Sequence, residues 1–182
     1  FRANPHFSQW LDAAGCEGAL LLVRPGRAPK LFFHQQRDLW HQPPSPPDAA
    51  GAIDVEVFAS LDALVAGACR AIERENRTAL IGEATAASTN LPVAEFNPQQ
   101  LLNHLHYRRA YKTQFELDCM KRATRIGVRG HLAAIAAYRS GASEYAIHQA
   151  YLLASGQNET ELPYANIVAQ NEHAGVLHYQ HY

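Results

Sequence analysis

The stretch DVEVFASLDALVAGACRAIERENRTALIG, residues 54–82, decides the fold class. Asp54 to Phe58 alternates apolar and charged residues, the pattern of a half-buried strand. Ser60 then caps a helix whose Leu61, Leu64, Val65, Ala68, Cys69 and Ile72 recur at three- and four-residue spacing. Thr78 to Gly82 reads as a short buried strand after it. Strand, helix and strand in that order predict an α/β layer with a crossover.

Upstream, the apolar runs GALLLV (18–23) and LFFH (31–34) flank RPGRAPK, whose Pro25-Gly26 is a turn dipeptide. They predict a hairpin over 18–24 and 30–34. PPSPP (43–47) can be neither helix nor central strand, because proline lacks the backbone donor and fixes φ. Downstream, Asn97-Pro98 predicts a helix start, with Asn as cap, running to about His106. Tyr107 to Lys112, polar and basic, reads as the connection between two domains, 1–110 and 111–182. Thr113 and Glu116 fit a capping box that opens a helix over about 114–139. Its expected inner face is Phe115, Cys119/Met120, Ala123, Ile126/Gly127, Gly130, Ala134 and Ala137/Tyr138. The small residues of that stripe would let another element approach closely. Gly141 ends this helix, Ser143 caps the next, with Ile147, Tyr151 and Ala154 inward, and Gly156 closes it. YANIVAQ (164–170) and GVLHYQHY (175–182) predict two strands joined by a polar loop at 171–174.

The 182 residues suit one large or two small domains, and 47% apolar content can form a real core. Sixteen Lys and Arg against 17 Asp and Glu give a net charge of −1, which argues against bulk-charge binding to nucleic acid or a membrane surface. No apolar run approaches the ~20 residues of a membrane span. The amino end, Phe1-Arg2-Ala3-Asn4-Pro5, has no signal-peptide pattern. Cys16, Cys69 and Cys119 are odd in number, far apart and in no CxxC pair, so a reducing, cytoplasmic setting is expected. The chain lacks GxGxxG, GxxxxGK[ST], HExxH and GxSxG, leaving phosphate cradles, zincins and serine hydrolases without support.

Ten histidines are many for this length, and His173, His178 and His181 crowd the end of the chain beside Glu172. On a strand, residues two apart share a face. His178 then lies with Val176 and Gln180, while Leu177, Tyr179 and His181 face the other way, so His178 and His181 cannot readily hold one metal. A strand histidine among apolar neighbours more often makes a core hydrogen bond than a reaction. His173 is expected in solvent, and His104 and His106 on a helix surface. Tyr164 has a plain reading as an aromatic packing a sheet face. Arg108, Arg109 and Lys112 read as a solvated linker, and Lys121, Arg122, Arg125 and Arg129 as the outer face of their helix.

The run from Tyr107 to Gly156, followed by ELPYANIVAQNEHAGVLHY (161–179), is similar to the opening of the catalytic domain of the pita-bread metallopeptidases. Together with FRANPHFSQWL (1–11) it resembles the bacterial Xaa-Pro dipeptidase (prolidase) family, some members of which also hydrolyse organophosphates. The resemblance covers nearly the whole chain and is looser between residues 11 and 106. It implies a creatinase-type N-terminal mixed-sheet domain over 1–110, lacking its first strand and helix, then the first helices and hairpin of a pita-bread domain. It implies hydrolysis of dipeptides with C-terminal proline by two bridged divalent metals, usually Mn²⁺, in a cytoplasmic homodimer. The five family ligands, two Asp, one His and two Glu, fall beyond the LHY histidine, so no metal ligand is assigned here. What carries over is His178, as a donor to the substrate or the developing oxyanion, and Tyr164 and Leu177, as walls of the substrate pocket.

Two readings therefore stand. One is part of an active dipeptidase whose coding sequence continues past Tyr182 to the Asp ligands, the 182 residues alone being inactive. The other is a non-catalytic family member serving as an interaction or dimerisation module. In either case the expected terminal hairpin would leave an open sheet edge, a pairing hazard.

Overall fold

A computed structural model describes residues 4–11, 14–48, 51–72 and 77–181. Residues 1–3 of the FRANPHFSQWL segment, and Tyr182, lie outside them. The chain divides into two compact units, Phe1–Ala110 and Tyr111–Tyr182.

The first unit opens with α1 (Pro5–Ser8), where Asn4 Oδ1 accepts from the His6 N–H at 2.9 Å and Pro5 occupies the first turn. Next come β1 (Leu20–Leu22), β2 (Lys30–His34) and β3 (Asp54–Phe58). β1 pairs antiparallel with β2, Leu20 opposite Phe32, through a turn in which Gly26 takes φ +70°. The expected hairpin is therefore present. β3 lies on the other side of β2, parallel, with Lys30 opposite Asp54 and His34 opposite Phe58.

The run Leu31-Phe32-Phe33 is at most 1% exposed, so β2 is covered on both faces. Phe32 enters a cluster with Leu64, Ala68, Ile72 and Leu91. Leu31 and Phe33 enter the opposite one with Cys16 and Ile53, flanked by Phe7 and Leu11. The first cluster exists because α2 (Leu61–Ile72) lays its periodic stripe on the sheet. Ser60 opens this helix, its carbonyl accepting from Leu64 N at 3.1 Å and its hydroxyl from Ala63 N at 3.3 Å. Leu61 sits at the exposed margin of the stripe, against Gly18, and Val57 of β3 is exposed as well.

The predicted crossover needs correction. β4 (Ala79–Leu80) has only two residues, and it pairs in parallel with β5 (Glu95–Phe96) across α3 (Ala86–Thr89), not with β3. Leu80 and Val93 still pack onto the α2 cluster, so the layer is there without a continuous ladder. Asn97 was expected to cap the next helix. Instead it takes φ +48°, and its amide brackets Gly82, accepting from the Gly82 N–H at 2.9 Å and donating to its carbonyl at 2.8 Å. The helix, α4 (Gln99–Ala110), starts after Pro98 and absorbs Tyr107–Ala110, so the expected linker shrinks to the few residues before Thr113.

The second unit holds α5 (Gln114–Arg139) and α6 (Glu144–Ser155). The capping box is made in both directions: Thr113 Oγ1 accepts from Glu116 N at 3.2 Å, and Glu116 Oε2 accepts from Thr113 N at 2.6 Å. Gly141, at φ +79°, closes α5 with Gly141 N donating to the Tyr138 carbonyl and Ala142 N to that of Ala137. Only part of the expected stripe faces a partner. Gly130 is buried, and Ile126, Gly127, Ala134 and Ala137 are half-buried. Phe115, Met120, Ala123 and Tyr138 are exposed. The close approach is real: a Cβ on Gly130 would stand 2.7 Å from the Tyr151 ring of α6.

After α6, closed by Gly156 at φ +69°, the chain makes a short 3-10 turn at Glu159–Glu161 and a second at Asn171–Gly175. The two strands expected at 164–170 and 175–182 do not form among the described residues, and with them goes the expected sheet edge. Their β-rich composition finds no partner strand. Side-chain bonds to α6 hold this segment instead, and Asn171 turns it at φ +51°, a conformation asparagine tolerates. No helix among the described residues is long and apolar enough to cross a membrane.

Candidate substrate-binding segment

Tyr164, Leu177 and His178 all lie on this segment beyond α6. Tyr164 is at a bend and 74% exposed, Leu177 is in a turn and 84% exposed, and His178 follows it, exposed. Because 176–178 is a turn, the strand-face pairing of His178 with Val176 and Gln180 does not arise. Two surface depressions, one along α5 at Arg122, Arg125 and Arg129, the other at His34, Asp38 and His41, include none of the three. The segment carrying them is held to α6 by two tethers.

One tether is Glu144, in the first turn of α6. Its Oε1 accepts from the Gln170 backbone N–H at 2.5 Å and from His173 Nδ1 at 3.0 Å, while Gln170 Nε2 donates to the Ala142 carbonyl at 3.0 Å. His173, expected in solvent, is thus half-buried. Its ring stacks on Tyr179, with centroids 4.4 Å apart and planes inclined 17°. The carboxylate that meets it is Glu144, 29 residues earlier, not neighbouring Glu172. Burial pushes the Glu144 pKa up, but the Gln170 N–H and His173 outweigh it and leave the group below its ordinary value. Tyr179 is displaced upward, by burial and then by the Glu144 charge. The Tyr179 hydroxyl donates to the His181 carbonyl.

The second tether is His148, one turn further along α6 and 1% exposed. Its Nε2 lies 3.0 Å from Glu159 Oε1 and its Nδ1 lies 3.3 Å from Asn166 Nδ2. An amide N–H donating to Nδ1 leaves the ring proton on Nε2, where it donates to Glu159. Reading the sequence missed Glu144, His148 and Asn166. The one local signal was that Glu144 and His148 are four apart, hence on one face of a helix.

Metal ligation is absent from this arrangement. Among the described residues no group of three or more His, Cys, Asp or Glu side chains could hold an ion, and Cys16, Cys69 and Cys119 form no disulfide. The described residues do not furnish a two-metal site.

A sequence profile described as the Xaa-Pro dipeptidase N-terminal domain matches residues 1–107. The chain belongs to the Xaa-Pro dipeptidase family. It is 40% identical over 189 residues to an Xaa-Pro dipeptidase of Pseudoalteromonas haloplanktis, covering 100% of this chain and 41% of that relative. It is 42% identical over 183 residues to one of Edwardsiella ictaluri, again covering 100% and 41%. Against one of Salmonella arizonae it is 41% identical over 181 residues, 98% of this chain and 41% of the relative. The chain therefore spans about two fifths of the length of these Xaa-Pro dipeptidases. The mixed α/β unit ending at Ala110 corresponds to the matched N-terminal domain of the family.

Proposed function

We propose that this chain is the amino-terminal portion of an Xaa-Pro dipeptidase, a hydrolase of dipeptides with C-terminal proline. The observation that carries the reading is the identity of about 40% to Xaa-Pro dipeptidases along the entire chain, through the PYANIVAQNEHAGVLHY segment. In this reading the second unit begins a pita-bread domain, two divalent metals, Mn²⁺ first among them, sit on residues beyond this chain, and the active species is a homodimer.

The parts assigned to this chain are limited. His178 donates a hydrogen bond to the oxygen on which negative charge grows as the scissile carbonyl becomes tetrahedral, an interaction worth most in the transition state. Tyr164 and Leu177 supply apolar surface. An Xaa-Pro bond lacks the amide N–H, so recognition must rest on shape and on the free carboxyl end. The exposure of all three side chains leaves them available to substrate.

A polypeptide of the relatives' length carrying this chain tests the assignment. His178→Ala should keep its metal content and lose kcat on Ala-Pro by roughly 10²-fold, as when an oxyanion donor is removed. An unchanged kcat would contradict it. The non-catalytic alternative predicts no hydrolysis by the wild-type long protein.

A further inference from the structure

We infer that His148 is a positioning residue: through Asn166 it fixes the segment that carries Tyr164, and so shapes the substrate pocket. This rests on the dipeptidase reading, in which Tyr164 is a pocket wall.

Among the described residues His148 is the largest fully buried polar side chain, and a buried imidazole is costly unless both nitrogens are satisfied. Here both are, by residues 11 and 18 positions away, on either side of Tyr164. The histidine stands on a 12-residue helix capped at both ends, whereas residues 162–170 belong to no helix or ladder. A rigid element thus grips the chain beyond it at two points, Glu159 in the 3-10 turn and Asn166 in the irregular stretch. The grips are unequal. Glu159 is 68% exposed, and a carboxylate facing water adds little hold. Asn166 is half-buried, two residues past Tyr164, and its amide meets the buried ring at Nδ1.

Two substitutions separate the grips. Asparagine at 148 can present an oxygen where Nδ1 stood, keeping the Asn166 bond alone. Glutamine reaches the Nε2 position, keeping the Glu159 bond alone. In the long protein, His148→Ala should raise KM for Ala-Pro about tenfold, with kcat within about twofold and metal content unchanged. His148→Asn should restore KM and His148→Gln should not. Asn166→Ala, at a less buried site, should reproduce the KM effect and add nothing to His148→Ala. In the 182-residue chain itself, ¹⁵N resonances should show His148 protonated on Nε2 alone, and amide exchange over 159–167 should quicken in His148→Ala but not in His148→Asn.

Unchanged KM in both His148→Ala and Asn166→Ala, with an active wild type, overturns the positioning role alone. Rescue by glutamine and not by asparagine overturns the Asn166 route. A wild-type long protein that leaves Ala-Pro intact removes the dipeptidase reading and the positioning role with it, while the exchange data still show whether the tether exists.

Discussion

Glu144 gathers two partners from the distal segment onto one carboxylate: a backbone N–H and an imidazole. Its place in the first turn of α6 adds the favourable field of the helix's positive end. Because its pKa lies below the ordinary value in the folded chain, the stabilisation is complete above the ordinary carboxylate pKa. It is lost as pH falls through the lowered value. Amide exchange at Gln170 and His173 should therefore quicken in acid below that range, and Glu144→Gln should quicken it at neutral pH. Exchange there that is indifferent to both changes would show that Glu144 does not hold the segment. His6 behaves in the related way. Burial, then the charges of Arg109 and His106, lower its pKa, so the neutral ring suits the fold. The first unit should lose stability as pH falls through the ordinary imidazole range toward that lowered value, and a His6→Gln variant should lose that pH dependence in a urea titration.

At the scale of elements, the contact of α5 with α6 turns on two glycines. At Gly127 the nearest atom to an added Cβ is the Tyr151 hydroxyl at 4.0 Å, so Gly127→Ala should stabilise the unit by about 0.5–1 kcal/mol through helix propensity. At Gly130 the ring stands 2.7 Å away, so alanine overpacks at a cost of about 1–3 kcal/mol that exceeds the same gain. Opposite shifts in urea midpoint are expected; equal shifts would mean the helices pack otherwise. The periodicity of α2, the capping box at Thr113 and the turn at Gly26 were legible because each depends on neighbours within a few residues. The Gly-rich stripe of α5 was legible as well, though its flanking Phe115, Met120 and Tyr138 are exposed. The strands expected at 164–170 and 175–182 do not form among the described residues, because a strand needs a partner that its own residues do not name. The tethers were hidden for the same reason: Glu144 to His173 spans 29 residues, and no local pattern announces it.

At the scale of the molecule, the family assignment and the chemistry separate. The first unit is the matched N-terminal domain, while the second carries the three residues proposed to meet substrate and, among its described residues, no set of metal ligands. The 182-residue chain alone should therefore show no Mn²⁺-dependent cleavage of Ala-Pro. Turnover by it would mean that the ligands have been misplaced. The most direct test of the whole account is hydrolysis of Ala-Pro by a polypeptide of the relatives' length that carries this chain, assayed with Mn²⁺ and again after chelation. Cleavage that chelation abolishes and Mn²⁺ restores is the expected result. A folded long protein that leaves Ala-Pro intact in Mn²⁺ would contradict the account.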